Sequence, residues 1–210
     1  MNSTDTSIDI ANTLRCDIEK IDRLLNMKDS IRESAYRLVR EMIRSSSEVV
    51  SFIHRELYIE ASKKINLLKD NVNKLKEMLK DHPDLYYSGM IYNGLSEFVE
   101  AYIFYSIVVE SRIPAWEELG VPIVPYLQGL GDVIGEIRRL IIKLLNKQLI
   151  EEVEKYLRIM ESIYENLRVL NYPDALIPGL RHKVDLASKL IDETKILILN
   201  TKNSLRCAIS

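Results

Sequence analysis

The sequence predicts an all-α protein, an antiparallel bundle of about six or seven helices, on three observations. Leu, Ile, Glu, Lys and Arg dominate while Gly (7) and Pro (6) are sparse, a balance that favours helix over sheet. Apolar residues recur at three- and four-residue intervals along most of the chain. No segment shows the strict alternation and turn spacing of a sheet. At 47% hydrophobic and 29% charged, the chain can build a core and stay soluble, and 210 residues are short for two domains. Residues 1–210 therefore read as one domain.

The elements follow in order. Residues 1–7 are polar and are expected to be disordered. From Ile8 the series Ile10, Leu14, Ile18, Ile21 and Leu25 predicts a helix. Asp29 and Ser30 then look like the start of a second, running to about Leu57 on Ala35, Leu38, Val39, Met42, Ile43, Val49, Val50 and Ile53. A third covers about 58–80 with Ile65, Leu68, Val72, Leu75 and Leu79. "DHPD" (81–84) is a turn, because Pro83 cannot continue a helix. A fourth covers about 84–110, followed by a connection marked by Pro114, Gly120, Pro122 and Pro125. Pro125 suits the first turn of a fifth helix that reaches about Asn146. A sixth covers about 148–170, "NYPDALIPG" (171–179) is a loop, and a last helix covers about 180–200.

Composition excludes some functions. A formal net charge of −2 gives no global basic signal for nucleic acid or an anionic membrane, so such binding needs a local basic surface. Cys16 and Cys207 lie near opposite ends, with neither metal spacing nor a disulfide framework, which points to a reducing compartment. The N-terminus has no signal-peptide pattern, and no apolar run reaches the ~18 residues of a membrane span. The expected location is the cytoplasm.

The chemistry concentrates in two apolar stretches. "GLSEFVEAYIFYSIV" (94–108) carries Glu97 and Glu100, and "PYLQGLGDVIGEIRRLIIKLL" (125–145) carries Asp132 and Glu136. Spacings of three and four place each pair on one helix face, within about 60° and 40° of coincidence. Phe104 and Ile107 continue the Glu97 face, so that face points inward. Buried carboxylates need a base or a cation, and residues 84–110 contain no Lys or Arg. Hard oxygen donors without His or Cys suit Mg²⁺ or Mn²⁺ rather than zinc, and such a site supports phosphate-ester hydrolysis. The competing reading is that helix acids sit on solvated faces, and a lone ExxE is common there.

These same residues resemble the translin/TRAX family, on its TRAX side. "SEFVEAYIF" is similar to the family's EYVEA-type helix. "PYLQGLGDVIGEIRRL" is similar to its DYLLGVADLTGELMR-type helix, matching at Tyr126, Leu127, Gly129, Asp132, Gly135 and Glu136. "RLVREMIRSSSEVVSFIHR" (37–55) resembles the long first helix, and "LRVLNYPDALIPGLRHKVD" resembles a stretch of translin. The likeness covers roughly 30–205.

The resemblance implies a translin-like bundle of about seven helices that assembles into a hollow oligomer, an octamer. It further implies a metal-dependent endoribonuclease acting on single-stranded RNA, and by extension single-stranded DNA as a ligand. Glu97, Glu100, Asp132 and Glu136 stand at the positions of the family's acids, which bind Mg²⁺ or Mn²⁺; Glu136 is the first candidate for general base. The basic targeting tail and the insertion of eukaryotic TRAX are absent, which points to a compact archaeal homologue acting as a homo-oligomer.

RNA contacts are expected from Arg37, Arg40 and Arg44, a basic stripe on the long helix, and from Arg138, Arg139, Arg181, His182 and Lys183. For each, the alternative is a solvated face paired with local acids. The tyrosines of "LYYSGMIY" (85–92) are candidates for base stacking or for packing. His54 is expected to make a structural hydrogen bond, and Trp116 to anchor an interface or pack locally. Two other functions compete: a non-catalytic single-stranded nucleic-acid scaffold like translin, and an all-α Mg²⁺-dependent NTP pyrophosphatase, whose second acid pair is usually ExxD. A ferritin-like di-iron site lacks its Glu-x-x-His pairs here.

Overall fold

The computed structural model describes residues 3–207, with side-chain surroundings from residue 10 to residue 204. Among the described residues there are six long helices, two single-turn ones, a π-helical turn and no strand. None of the helices is long and apolar enough to cross a membrane.

Helix α1 runs unbroken from Ser3 to His54. This corrects the two helices predicted over 8–57, and its start lies inside the stretch 1–7 expected to be disordered; Met1 and Asn2 lie outside the described residues. The physical reason is the absence of any Gly or Pro before Leu57. Asp29 reaches forward to Arg32 (2.9 Å) and the Ser30 hydroxyl donates back to the Asn26 carbonyl (3.0 Å), so neither caps a new helix.

Helix α2 (Tyr58–Leu79) returns along α1. The predicted helix over 84–110 is divided into a single turn, α3 (Pro83–Tyr86), then α4 (Gly89–Tyr105), then a π-helical turn (Ser106–Glu110) that ends at Ser111 with φ 55°. The connection contains a single-turn helix that the spacing did not predict, α5 (Trp116–Leu119). There the Trp116 indole donates to the Val121 carbonyl (2.9 Å) and Arg112 forks onto Glu118 (2.7 Å), which gives Trp116 a local packing role. Helix α6 (Ile123–Asn146) has Pro125 in its first turn; α7 (Ile150–Arg168) and α8 (Leu180–Cys207) flank the 171–179 loop.

Helix α4 is the middle of the bundle, between α1 and α6, and α6 in turn packs on α7 and α8. Helix α4 is buried on most of its circumference, by Leu95, Phe98, Val99, Tyr102, Ile103 and Phe104 among others. Two glycines allow the close crossings. A Cβ on Gly94 would lie 2.5 Å from Val39 Cγ1 of α1, and one on Gly129 would lie 2.6 Å from the Ser96 carbonyl oxygen of α4. The acid-bearing helices therefore touch almost backbone to backbone.

Candidate active site

Helix α4 contributes Glu97 and Glu100, and α6 contributes Asp132 and Glu136. Their register is fixed by Ser96, whose hydroxyl donates to Gln128 Oε1 (2.9 Å), while Gln128 Nε2 donates to the Pro178 carbonyl (2.9 Å). The four predicted acids form one cluster, open to two adjoining clefts that share Glu97 and Glu100. One, of about 380 Å³, is lined by Asp132, Gly131, Gly135 and Lys183; the other, of about 450 Å³, by Ser47, Ser51, His54, Glu136 and Arg139.

The acids are not equivalent. Burial, with the charges of Asp132, Glu97 and Glu136 added, pushes the Glu100 carboxyl up to about 8; Lys183 opposes this. Burial and Asp132 raise Glu97 as well. Neither glutamate has a hydrogen bond or an ion pair. Glu136 goes the other way. Its hydrogen bond from His54 Nε2 (2.5 Å), helped by Arg139 (3.6 Å), holds it below the usual carboxylate range. Asp132 is clasped through both oxygens by Lys183 Nζ (2.5 and 2.6 Å).

As the side chains stand, no three His, Cys, Asp or Glu among the described residues are arranged around one ion position. Asp132 is turned to Lys183 and Glu136 to His54. The donor set still fits a hard divalent cation. It supplies only oxygens, it holds two half-buried glutamates with no ion-pair partner, and burial, with the neighbouring acids added, raises both of them. The groups that compete are the ammonium of Lys183 on Asp132, at the end of a flexible side chain, and His54 with Arg139 on Glu136.

His54 is better supported than the sequence suggests. Its ring packs against Phe104 (5.1 Å between centroids), on the inward face that continues Glu97 and Glu100. Lys143 Nζ donates to the His54 carbonyl (2.5 Å) and to Glu56 (2.8 Å), while Lys147 also reaches Glu56 (2.6 Å). This clamp fixes the end of α1 on α6. Glu56 itself sits at φ 63°, a left-handed conformation unusual for a side-chain-bearing residue.

The expected RNA contacts separate into groups. Arg37, Arg40 and Arg44 are exposed on α1 and have no ion-pair partner. They belong to the series 37, 40, 44, 47, 51, 54, whose last three members line the cleft beside Glu136. The stripe therefore leads along α1 for about 25 Å to the acids. Arg139 is at the cleft mouth. Arg138 pairs with Glu193 (3.5 Å) of α8. Lys183 faces Asp132, whereas Arg181, two residues earlier, faces another cavity of about 690 Å³ beside Arg168 and Tyr172. His182 is exposed. The tyrosines of 85–92 pack on one another, Tyr86 against Tyr87 (5.3 Å) and Tyr87 against Tyr92 (6.1 Å). The contacts of His54 and Lys183 lie 82 and 51 residues apart in sequence, and no local pattern announces them.

Comparison with known proteins gives a consistent set of relatives. Residues 30–193 match the family described as the Translin family. The chain is 31% identical over 182 residues to the uncharacterized protein MJ0175 of Methanocaldococcus jannaschii, covering 84% of this chain and 80% of that one. The crystal structure of apo-NeC3PO superposes with a TM-score of 0.81 at 29% identity, covering 88% of this chain and 96% of the other. The structure of an AfC3PO–duplex RNA complex superposes with a TM-score of 0.83 at 26% identity, covering 90% and 97%.

Proposed function

Because the chain belongs to the translin family, we propose that it is a metal-dependent endoribonuclease acting on single-stranded RNA, working as a homo-oligomer of octameric type. The observation that carries this reading is the pair Glu97 and Glu100: half-buried, without a cation partner, and on a stretch with no basic residue. Glu97, Glu100, Asp132 and Glu136 would hold Mg²⁺ or Mn²⁺. Bound there, the ion supplies a lowered pKa for an attacking water and neutralisation of the phosphoryl oxygens.

The chain's own residues have separate tasks. His54 donates its Nε2 proton to Glu136, keeping that carboxylate ionised and oriented. A carboxylate held below its usual range is a weak base, so Glu136 suits ion binding better than the general-base role its sequence position suggests. Lys183 neutralises Asp132 and, once displaced, carries its ammonium beside the scissile phosphate. Arg37, Arg40 and Arg44 track the RNA backbone toward the cleft, and Arg139 meets it at the mouth. AfC3PO has been seen with duplex RNA, so strand preference is part of the test.

The decisive experiment offers end-labelled RNA, single-stranded and duplex, to the purified protein with Mg²⁺, Mn²⁺ or EDTA, alongside Glu100→Gln. Metal-dependent cleavage lost in the variant is expected. A specific observation favours a second reading, a non-catalytic RNA scaffold: Lys183 already neutralises Asp132. RNA binding without cutting under every metal condition would select it.

A further inference from the structure

The N-terminal part of α1 is a bare amphipathic arm. Every described residue from Ile10 to Met27 is exposed. An ion pair of Lys28 with Asp84 (2.5 Å) ties the arm's end to the rest of the protein. This arm lies before residue 30, where the family match begins. From Ser3 to Met27 it spans about 37 Å.

Such a helix is not stable without packing, and its pattern states what kind of packing it needs. Leu14, Ile18, Ile21 and Leu25 are spaced four, three and four apart, the seam of a two-stranded coiled coil. Together with Ile10, Leu24 and Met27 they are 49% to 65% exposed. Two such arms offer on the order of 1,200 Å² of apolar surface to each other, the lower bound for a stable specific interface. The charges select against a lipid surface: four basic and four acidic residues cancel between Ile10 and Asp29, leaving no cationic face.

We propose that this arm pairs with the same arm of a second copy as an antiparallel two-stranded coiled coil. Its central layers set Ile18 against Ile21 of the second copy and Leu14 against Leu25 of the second copy. The flanking charges choose the direction. Antiparallel pairing brings Arg15 to Asp22 of the second copy, twice by symmetry. Parallel pairing brings Asp17 to Asp22 of the second copy, twice, and repels. Arg15 and Asp22 are solvent-facing and have only intrahelical partners, Glu19 and Asn26, so both are available. The inference is independent of the ribonuclease reading.

The test is the mass of the full-length protein by sedimentation velocity. Ile18→Asp and Leu25→Asp, each on an exposed position that leaves the bundle's melting temperature unchanged, should halve the number of subunits in the assembly. An unchanged mass overturns the proposal, as does a wild-type protein that is monomeric at tens of micromolar. Asp22→Arg sets like charges against Arg15 and should raise the dissociation constant by about ten-fold. A tighter assembly instead would overturn the antiparallel direction. Wild-type binding to anionic phosphatidylglycerol vesicles that Ile18→Asp abolishes, with mass unchanged, would overturn it in favour of a membrane. Loss of RNA cleavage in Glu100→Gln with its mass intact bears on the acid cluster alone.

Discussion

Glu56 and Glu100 carry the same carboxyl group and lie on either side of the His54 contact with α6, yet their surroundings drive them in opposite directions. Glu56 is exposed, meets Lys143 of α6 and Lys147 just past its end, and is held at about 2. Glu100 is half-buried among three other acids, makes no ion pair and is pushed up to about 8. A paired surface acid fastens a turn. An unpaired buried acid costs stability and is tolerated where something else comes to bind. The contrast distinguishes scaffold from candidate site within one bundle.

The sharpest way to break the contrast is Glu100→Gln. Metal-dependent RNA cleavage should fall by on the order of 10²-fold or more, measured in single-turnover assays, while the metal-free protein becomes more stable above neutral pH. Full activity in Glu100→Gln would remove Glu100 from the site. His54→Ala frees Glu136 from its donor and should lower divalent-ion affinity or cleavage by roughly 10- to 100-fold, with little change in the fold detected by circular dichroism.

The pH dependence of stability should show both acids with opposite signs. Glu100 binds its proton more tightly when folded, so between about 4.5 and 8 the folded state holds more protons than the unfolded and stability declines as pH rises. Without metal, the melting temperature should drop by roughly 5 °C across that window, and the slope should flatten in Glu100→Gln or on adding Mn²⁺. Glu56 has a depressed pKa, so its contribution is present above 4.5 and is lost as pH falls toward 2. Glu56→Gln should cost about 1 kcal/mol or less, as expected for an exposed pair, and leave cleavage intact at low temperature. Arg44→Ala has the smallest expected effect: weaker RNA binding of every sequence alike, with the salt dependence reduced by about one contact. An unaltered salt slope would take the α1 stripe off the RNA path.

The helix positions and the acid cluster were legible because both depend on local spacing. Glu97 with Glu100, and Asp132 with Glu136, declare their shared faces at three and four residues, and the absence of Lys and Arg over 84–110 already marks the glutamates as unpaired. What could not be read is what crosses between helices. His54 reaches Glu136, and Lys183 reaches Asp132, only after α1 and α8 have packed on α6. Asp29 and Ser30 resemble a helix start because capping residues look the same when they bond within a helix that continues. Ile10 to Leu25 predict a helix, but periodicity shows only that a helix has an apolar face and says nothing of what covers it.

The close approach at Gly129 has a consequence for how finely the site is spaced. The missing methyl group there sets the gap between α4 and α6, and with it the distance across the acid cluster three residues further on. A Gly129→Ala change would act as a shim, its Cβ meeting the Ser96 carbonyl oxygen at 2.6 Å and forcing the two helices apart without altering any acid. Small hard cations tolerate little error in the distance between their oxygens. If the acids hold an ion as proposed, preference among ions of different radius would be governed by a residue that touches none of them, and widening the gap should shift that preference toward the larger ion.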